Sequence, residues 1–442
     1  MKTTGIKRGF YIETHGCQMN IYDSEFISDL LARNGYSRVA DPRQASVIVI
    51  NTCAVRDRAE KKALARTREM VALKTERPGL VVAVIGCVAQ RLAAAGRSAG
   101  ADVVAGFDAY QSFAEILEQA ANRPHPLVAA SPEPTCLYSL TPRSREGITA
   151  FVTIMQGCDN FCSYCVVPHV RGRERSKPIT TILEEARRLV AVGAKEVTLI
   201  GQNVNSYRDG GAAFADLLCA VDGLGGLERV RFTTSHPKDL SVGLVEAMRD
   251  LPKVCEHLHL PLQSGSDRVL QLMNRGYALH DFKRMVEFAR HEIPGLAVTT
   301  DIMVGFPTET EPDFAQTLGA LGQIGFDAAF TFIYSPRDGT EAARLADDVT
   351  RGEKTARLKR AVALQNQITD LKKRALLGRE VEVLVEGSSR RESGMALGRT
   401  RENWLAKLPH EGVRRGETVV ARVSSVTRWI VACDRPLRKA GP

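Results

Sequence analysis

The chain has 442 residues, of which 44% are hydrophobic and 25% are charged. This balance is ordinary for a globular protein and excludes a largely disordered chain, and the length suggests roughly two to four domains. The longest apolar run, at 80–89, is too short to span a membrane, and the N-terminus lacks the apolar core of a secretory signal. We therefore expect no membrane association and a cytoplasmic location.

The net charge of +9 is unevenly distributed along the chain. Residues 343–442 contain 22 Lys and Arg against 12 Asp and Glu, whereas the preceding residues contain 38 and 39. This asymmetry is typical of a protein whose C-terminal part binds a polyanion, although a solvated basic surface has the same composition.

Residues 8–124 alternate short β-branched runs with helical stretches. The runs FYIET, VIVIN and VVAVI are typical of buried parallel strands, and the segments 24–35 and 56–74 between them predict helices. This alternation predicts an α/β domain with a doubly wound parallel sheet. A Pro- and Ser-rich segment at 125–147 then predicts a linker.

Two further domains are expected. Residues 148–376 repeat a strand followed by a helix about six times, which is too few units for a closed eight-stranded barrel and predicts an open, partial (βα) barrel. The polar clusters that follow its strands should lie at the C-terminal ends, where such folds place their active sites. Residues 379–438 alternate apolar and polar residues with frequent turn signals, which predicts a small antiparallel β-barrel.

The loop GCDNFCSYC follows the first barrel strand and contains Cys158, Cys162 and Cys165. Three thiolates on one tight loop can bind three irons of a 4Fe-4S cluster and leave the fourth iron open for a substrate or cofactor. Zinc is the competing metal, with His169 as a fourth ligand, but structural zinc sites usually have four protein ligands in two separated pairs. The polar, turn-rich loop disfavours three thiols buried in a core.

A second set of three cysteines is spread over the N-terminal domain. Cys17, Cys53 and Cys87 each lie just beyond a predicted parallel strand. Because parallel strands end at the same edge of a sheet, the three thiols can converge there and form a second cluster site. The other four cysteines lack this pattern and are interpreted as non-ligands: Cys136, Cys219, Cys255 and Cys433.

The chain resembles the tRNA methylthiotransferases of the radical S-adenosylmethionine (SAM) superfamily over about residues 9–340. The stretches that carry the resemblance occur in family order and include ETHGCQMNIYDSE, INTCAVRDRAEKK, IGCVAQR, IMQGCDNFCSYCVVPHVRGRERSKP, LIGQNVNSY, RFTTSHPKDL and VTTDIMVGFPTETEPDF. CQMN, GQNVNSY and FTTSHP resemble the MiaB type in particular, and the C-terminal barrel resembles the TRAM domain of that family.

The resemblance implies that a methylthio group is inserted at carbon-2 of an isopentenylated adenosine beside the anticodon. It implies two 4Fe-4S clusters and SAM: the loop cysteines would hold the SAM-binding cluster, and the N-terminal cysteines an auxiliary cluster that supplies or carries sulfur. The implied partners are the tRNA anticodon stem-loop and an electron donor such as flavodoxin, and the protein is expected to be a monomer. Carbon-2 of adenine is an unactivated C–H position, which fits the need for a radical cofactor.

Side chains that follow the barrel strands are candidates for contacts to SAM. Gln202 stands where many radical SAM enzymes have a glutamate that contacts the SAM amino group. The complete set of candidates is Tyr164, Gln202, Asn203, Ser235, Gln263, Ser264 and Asp301. Residues of these types are equally typical of turns and caps.

The C-terminal barrel contains the residues expected to hold RNA. Arginines contact phosphates, and exposed aromatic side chains stack on unpaired bases. The candidates are Arg390, Arg391, Arg399, Arg401, Arg414, Arg415, Arg422, Arg428, Trp404 and Trp429. Each Trp is as well suited to packing the barrel interior. The basic segment 170–178 is expected to guide RNA toward the active site, where the adenine must leave its stack.

Two alternatives remain open from the sequence. A sister methylthiotransferase would act on threonylcarbamoyladenosine in tRNA or on a ribosomal protein with the same barrel motifs. A non-catalytic iron–sulfur RNA-binding protein that senses redox state would bind clusters and tRNA but would not cleave SAM.

Overall fold

The computed structural model describes residues 8–54, 57–131 and 147–439. Most of the predicted linker and Cys136 therefore lie outside the described residues. None of the helices in these ranges combines the length and the apolar character that a membrane crossing requires.

The N-terminal part is a six-stranded, fully parallel sheet, as predicted. Its strands are β1 Arg8–His15, β2 Tyr36–Arg38, β3 Val47–Thr52, β4 Val81–Gly86, β5 Val103–Ala105 and β6 Leu127–Ala129. They are arranged in the order β2-β1-β3-β4-β5-β6. The helices are α1 Gln18–Arg33, α2 Asp57–Ala72, α3 Cys87–Ala94 and α4 Phe113–Ala120.

Alternate residues of the central strand face opposite layers of this sheet. Val47 and Val49 pack in the hydrophobic core that contains residues of α1 and α4, whereas Ile48 and Ile50 pack in a second core with residues of α2. Both faces of β3 are therefore buried, which explains why its sequence is a continuous apolar run.

The central part is the predicted open barrel of six parallel strands. Its strands and the short strands between them are β7 Thr149–Thr153, β8 Met155–Gln156, β9 Arg175–Ser176, β10 Glu196–Ile200, β11 Arg208–Asp209, β12 Ala212–Ala213, β13 Arg229–Thr233, β14 His257–His259, β15 Ala297–Val304 and β16 Ala328–Ile333. Sheets β13-β10-β7 and β14-β15-β16 are joined by a parallel bridge between Val230 and Val254. In the described part of the chain no ladder joins β7 to β16, so the barrel stays open.

Helices lie between these strands and after them in the chain. They are α5 Val167–Arg171, α6 Ile179–Ala191, α7 Phe214–Asp222, α8 Val242–Asp250, α9 Asp267–Leu272, α10 Leu279–Glu292, α11 Glu311–Ile324 and α12 Arg351–Arg374. The long helix α12 begins with a capping box between Thr350 and Glu353 and packs along the last barrel strand, where Gln365 donates a hydrogen bond to the Phe326 carbonyl at 2.9 Å.

The C-terminal part is a closed five-stranded barrel with one added strand. Its strands are β17 Glu380–Ser388, β18 Met395–Thr400, β19 Leu405–Pro409, β20 Thr418–Val426, β21 Val431–Cys433 and β22 Arg438–Lys439. Pairing of β17 with β20 closes the barrel. The antiparallel prediction is correct except between β19 and β21, which are parallel. Strand directions cannot alternate around a ring with an odd number of strands, so one parallel pair is required.

Buried arginines attach this small barrel to the start of β13. Arg231 donates hydrogen bonds to the carbonyls of Thr400 and Arg401 at 2.7 and 2.8 Å, and Arg229 pairs with Glu382 at 2.9 Å. Arg401 in turn pairs with Glu256 at 2.7 Å. Arg401 therefore belongs to the contact between the two barrels and not to a free RNA-binding face, contrary to the sequence-based prediction.

Candidate metal centres

The N-terminal cysteines meet at one edge of the sheet because of the strand register. His15 of β1 is paired with Thr52 of β3, and Thr52 is paired with Gly86 of β4. Cys53 and Cys87 directly follow the last residues of their strands, and Cys17 follows β1 by two residues as the N-cap of α1. The three thiols, named the sheet-edge trio below, therefore lie side by side.

The backbone under the sheet-edge trio leaves no room for extra atoms. Gly86 has a φ of +91°, and a Cβ at this position would overlap the Thr52 carbonyl oxygen. Asn20 donates to the Asn51 side-chain oxygen and to the Thr52 carbonyl, both at 3.0 Å, while its own oxygen accepts the Cys17 N–H at 3.2 Å. These hydrogen bonds fix the loop that carries Cys17 to the end of β3.

The thiols of the sheet-edge trio influence one another's protonation. A hydrogen bond from the Cys53 thiol lowers the pKa of Cys17 to about 6, and the Arg171 guanidinium lowers it further. Burial raises the pKa of Cys87, although Arg171 opposes this rise and Cys17 adds to it. One thiol of the trio is thus held as a thiolate at neutral pH.

The other trio, Cys158, Cys162 and Cys165, occupies a single tight loop at the mouth of the barrel and is named the loop trio below. Gly157 begins the loop with a φ of +79°, and a Cβ there would overlap the Arg173 carbonyl oxygen. The Cys165 N–H donates to the Cys162 carbonyl at 2.9 Å, and the Val167 N–H donates to the Cys165 sulfur at 3.5 Å.

Burial shifts the pKa values of two loop-trio thiols, Cys158 and Cys165, in the opposite direction from the net shift of Cys17. It raises the pKa of Cys158 to about 11 and that of Cys165 to about 12, and the neighbouring Cys162 contributes to both shifts. Thiols with such values bind a metal only when the metal itself displaces the proton.

Hydrogen bonds from several barrel elements hold the loop trio in place. Ser163 donates its N–H to Met273 at 3.1 Å and its hydroxyl to Leu272 at 2.7 Å. Gln202 accepts the Gly157 N–H at 2.7 Å. This residue was a candidate for SAM contact, and its oxygen instead braces the loop that precedes Cys158.

Arg275 is a functional candidate that the sequence interpretation missed. Its buried guanidinium donates to the Cys162 sulfur at 3.3 Å and to the Tyr164 hydroxyl at 3.4 Å, and it also donates to the Pro261 carbonyl at 2.9 Å. The basic residue in LMNRGY lies far from the loop in sequence, so only the fold brings it to the sulfur.

The ligands that each trio offers bear on the choice of metal. Among the described residues no three His, Cys, Asp or Glu side chains surround the position of a single ion. A zinc ion draws all its sulfur ligands to about 2.3 Å, whereas a 4Fe-4S cluster spreads three sulfurs over three irons. Each trio offers three cysteine sulfurs, the number that a 4Fe-4S cluster with one open iron takes from the protein.

Several buried polar atoms at the C-terminal ends of the barrel strands have no hydrogen-bond partner among the described residues. They are Gln156 Nε2, Asn203 Oδ1, Ser235 Oγ, His236 Nε2 and Gln263 Oε1. Buried polar groups are normally paired, so this group fits a mouth that takes a polar ligand such as SAM. Burial lowers the pKa of His236 to about 2, which keeps its imidazole neutral.

The remaining candidates for SAM contact have partners within the protein. Ser264 lies within 3.3 Å of the Thr317 hydroxyl and accepts the Ser266 N–H at 3.2 Å. Asp301 lies 3.6 Å from His259. The structure therefore groups Asn203, Ser235 and Gln263 as open to a ligand.

The other described cysteines lie away from both trios. Cys219 is exposed on α7, Cys255 is buried before β14, and Cys433 is buried in the C-terminal barrel.

The basic segment 170–178, which was expected to guide RNA, is partly buried. Arg171 and Lys177 are buried and paired with Asp23 and Glu185, each at 2.9 Å. These two buried cations cannot guide RNA: Arg171 joins the barrel to Asp23 of the N-terminal part, and Lys177 pairs within the barrel and contacts Tyr22 of α1.

The two tryptophans of the C-terminal barrel have different environments. Trp404 packs against the barrel core, with Lys373 Nζ 4.8 Å from its ring centroid. Trp429 is 74% exposed and follows the exposed Arg428. Trp429 is therefore available for stacking, and Trp404 is not.

Comparison with known proteins gives matches over nearly the whole chain. Residues 152–321 match the radical SAM superfamily, and residues 9–106 match an uncharacterized protein family, UPF0004. The tRNA-2-methylthio-N(6)-dimethylallyladenosine synthase of Moorella thermoacetica is 44% identical over 435 residues, which cover 96% of this chain and 98% of that protein. The synthase of the same name from Syntrophomonas wolfei is 45% identical over 400 residues, covering 89% and 90%.

A solved structure shares the fold at low sequence identity. The radical SAM methyltransferase TsrM from Kitasatospora setae, solved with cobalamin and a [4Fe-4S] cluster, matches with a TM-score of 0.59 and 13% identity over 76% of this chain and 74% of that chain. The two proteins therefore share a fold over about three quarters of each chain.

Proposed function

The chain belongs to the MiaB-type family of tRNA methylthiotransferases within the radical SAM superfamily, and from this premise we propose that it inserts a methylthio group at carbon-2 of an isopentenylated adenosine beside the anticodon of tRNA. The observation that carries this proposal is the pair of cysteine trios, which lie on either side of the segment 171–173. A reaction that joins sulfur to an unactivated carbon needs both a radical source and a sulfur site, and two neighbouring centres can serve both needs.

The loop trio would hold the cluster that binds SAM. When bound, a reduced cluster of this kind provides the electron for SAM cleavage and hence the radical that attacks the C–H bond, and the auxiliary cluster provides sulfur. The chain's own residues position this chemistry. Arg275 fixes the Cys162 sulfur, and Asn203, Ser235 and Gln263 offer unpaired polar atoms to SAM.

The sheet-edge trio would hold the auxiliary cluster. Cys17 is already a thiolate at neutral pH, and Cys53 and Cys87 are buried beside it. Burial of the centre keeps bulk water from the reactive sulfur, while α5 connects it to the loop trio over a short stretch of chain.

RNA would be held by the exposed side of the C-terminal barrel together with the mouth of the central barrel. Trp429 would stack on an unpaired base, and the exposed arginines Arg390, Arg391, Arg414, Arg415, Arg422 and Arg428 would contact phosphates. The anticodon stem-loop is the proposed partner because it offers an adenine that can leave its stack.

We propose that three domains, at residues 8–124, 148–376 and 379–438, have separate roles in this reaction. We propose that the protein acts as a monomer in the cytoplasm and receives electrons from a donor such as flavodoxin. The sheet domain would carry the auxiliary centre, the central barrel would bind SAM, and the small barrel would bind tRNA.

Product analysis tests the proposal. Anaerobically reconstituted protein, SAM, a reductant and isopentenylated tRNA should yield a nucleoside heavier by one methylthio group and 5′-deoxyadenosine. The loop-trio variant C158A/C162A/C165A should give neither product, whereas C17A/C53A/C87A should still release 5′-deoxyadenosine. Absence of the modified nucleoside with both clusters intact would refute the proposal, and modification of threonylcarbamoyladenosine instead would point to the sister enzyme.

A further inference from the structure

One short segment of the barrel lies between the two cysteine trios. Arg171 ends α5, six residues after Cys165, and the Gly172 carbonyl accepts the Cys158 N–H at 3.2 Å. The backbone of 172–173 thus belongs to the loop trio, because Gly157 packs directly against it. The side chain of Arg171 points the other way, toward the sheet-edge trio.

Arg171 is almost completely buried in the sheet domain. It is 3% exposed, its Nη2 lies 2.9 Å from Asp23 Oδ2, and its guanidinium lies 4.3 Å from the centroid of the Phe107 ring. Helix α5, which ends at Arg171, packs against α3, which begins at Cys87. The positive charge of Arg171 lowers the pKa of Cys17 and opposes the rise in the pKa of Cys87. Arg171 therefore has three kinds of partner: a carboxylate, an aromatic ring and, through its charge, two thiols.

A buried cation at this position has a clear electrostatic effect. Thiolates and the cluster they bind carry negative charge, and charge that is removed from water must be compensated nearby. Partners that surround the ligands of a metal centre orient those ligands and tune the reduction potential of the metal. Asp23 pairs with the guanidinium and offsets part of its charge.

We propose that Arg171 is a positioning residue of the sheet-edge centre, supplied by the barrel segment that also supports the loop trio, and that Asp23 orients it. The guanidinium offsets the negative charge of a cluster held there and so raises its reduction potential. This inference rests on the proposed assignment of the sheet-edge trio as a cluster site.

Another buried ion pair at the same interface provides a matched control. Lys177 is 2% exposed and pairs with Glu185 at 2.9 Å, and its Nζ lies 5.6 Å from the centroid of the Tyr22 ring. It joins the barrel to the sheet domain as Arg171 does, but its partners are not cysteines. A residue that merely held the domains together would behave like Lys177.

The test uses the full chain with C158A/C162A/C165A, so that iron bound to the protein belongs to the sheet-edge trio. Arg171→Met, Arg171→Lys, Asp23→Asn and Lys177→Met are added singly. Iron and sulfide are counted, and the midpoint potential is measured by redox titration followed by electron paramagnetic resonance.

Opposite shifts are expected from the two partners. Removing the cation in Arg171→Met should move the midpoint potential to a more negative value, because the oxidised cluster loses less stabilisation than the reduced one. Removing the carboxylate in Asp23→Asn should move it to a more positive value. Arg171→Lys should shift it less than Arg171→Met, and Lys177→Met should leave it unchanged.

Other outcomes distinguish failure of the proposed cluster site from failure of the inference about Arg171. If the parent variant holds no iron, the sheet-edge trio is not a cluster site, and both the proposed function and this inference fail. If iron and sulfide are present but Arg171→Met and Lys177→Met shift the potential alike, or Arg171→Met and Asp23→Asn shift it in the same direction, only the inference is overturned. Loss of iron in Arg171→Met with retention in Lys177→Met supports it.

Discussion

The loop trio and the sheet-edge trio reach the same donor set by different means. Three cysteines within eight residues form the first, and a tight turn at Gly157 is enough to bring them together. The second depends on three strand ends that are kept in step by the register of a parallel sheet. The first site is therefore a local motif, whereas the second exists only when the sheet has folded.

The two trios also differ in the state of their thiols without metal. The pKa of Cys17 is about 6, because Cys53 donates a hydrogen bond and Arg171 lies near, whereas burial puts the pKa values of Cys158 and Cys165 at about 11 and 12. Cys17 is therefore prepared to bind metal at neutral pH, whereas Cys158 and Cys165 must lose protons as the metal binds, as must Cys87, whose pKa burial raises.

Two glycine variants should separate the trios most sharply. Gly157→Ala would force a Cβ into the Arg173 carbonyl, and Gly86→Ala would force one into the Thr52 carbonyl. Each should remove the iron of its own trio, about half of the total, and leave the other centre intact. Gly210→Ala is the control for backbone strain alone, since its φ is +57° with nothing within 4 Å of the added Cβ. Equal iron loss in all three variants would contradict this account.

Thiol reactivity should differ between the trios in cluster-free protein. At pH 7 Cys17 is mostly thiolate, since its pKa of about 6 lies below the ambient pH, whereas Cys158, with a pKa of about 11, is almost fully protonated. We expect Cys17 to react with iodoacetamide at least about tenfold faster than Cys158. The difference should shrink as the pH rises toward 11. Peptide mass spectrometry measures both rates, and equal rates at pH 7 would contradict the difference in pKa between Cys17 and Cys158.

Loss of the hydrogen bonds under the sheet-edge trio should weaken iron binding there by an intermediate amount. Asn51→Ala removes buried partners of Asn20 and Ser24, which should weaken this site by about 1–3 kcal/mol. When Asn51→Ala is added to C158A/C162A/C165A, iron should pass from the sheet-edge trio to a chelator faster than it does in the parent triple variant. Asn34→Ala, which removes a partly buried hydrogen bond of an exposed residue at the end of α1, should leave the rate near that of the parent. Matching rates for the two variants would show that the network does not support the site.

The smallest effect is expected at the loop trio. Gln202→Ala deletes the acceptor for the Gly157 N–H and should destabilise the loop by about 1 kcal/mol, which speeds iron release about fivefold. Gln202→Glu keeps an acceptor and should release iron at the parent rate. A larger loss of SAM binding than of iron in Gln202→Ala would instead favour direct contact between this residue and SAM.

The sequence predicted the elements that depend on local pattern. The parallel strands, the open barrel and the long helix at Arg351 follow from periodicity and turn residues, and the strand ends are marked by Cys53 and Cys87. The family resemblance added the cofactors and the reaction.

The contacts between domains could not be predicted in the same way. Arg171 and Arg401 lie in basic stretches that are typical of solvated surfaces, yet the fold pairs them with Asp23 and Glu256, which are distant in sequence. A basic residue shows by itself neither whether it is buried nor which carboxylate it meets.

Counting iron and sulfide on anaerobically reconstituted protein tests the central claim most directly. If each trio builds one cluster, the wild-type chain binds about eight irons, and the triple variants C17A/C53A/C87A and C158A/C162A/C165A each bind about half as many. A wild-type chain with about four irons, or a triple variant that keeps the full number, would contradict the account of two separate centres.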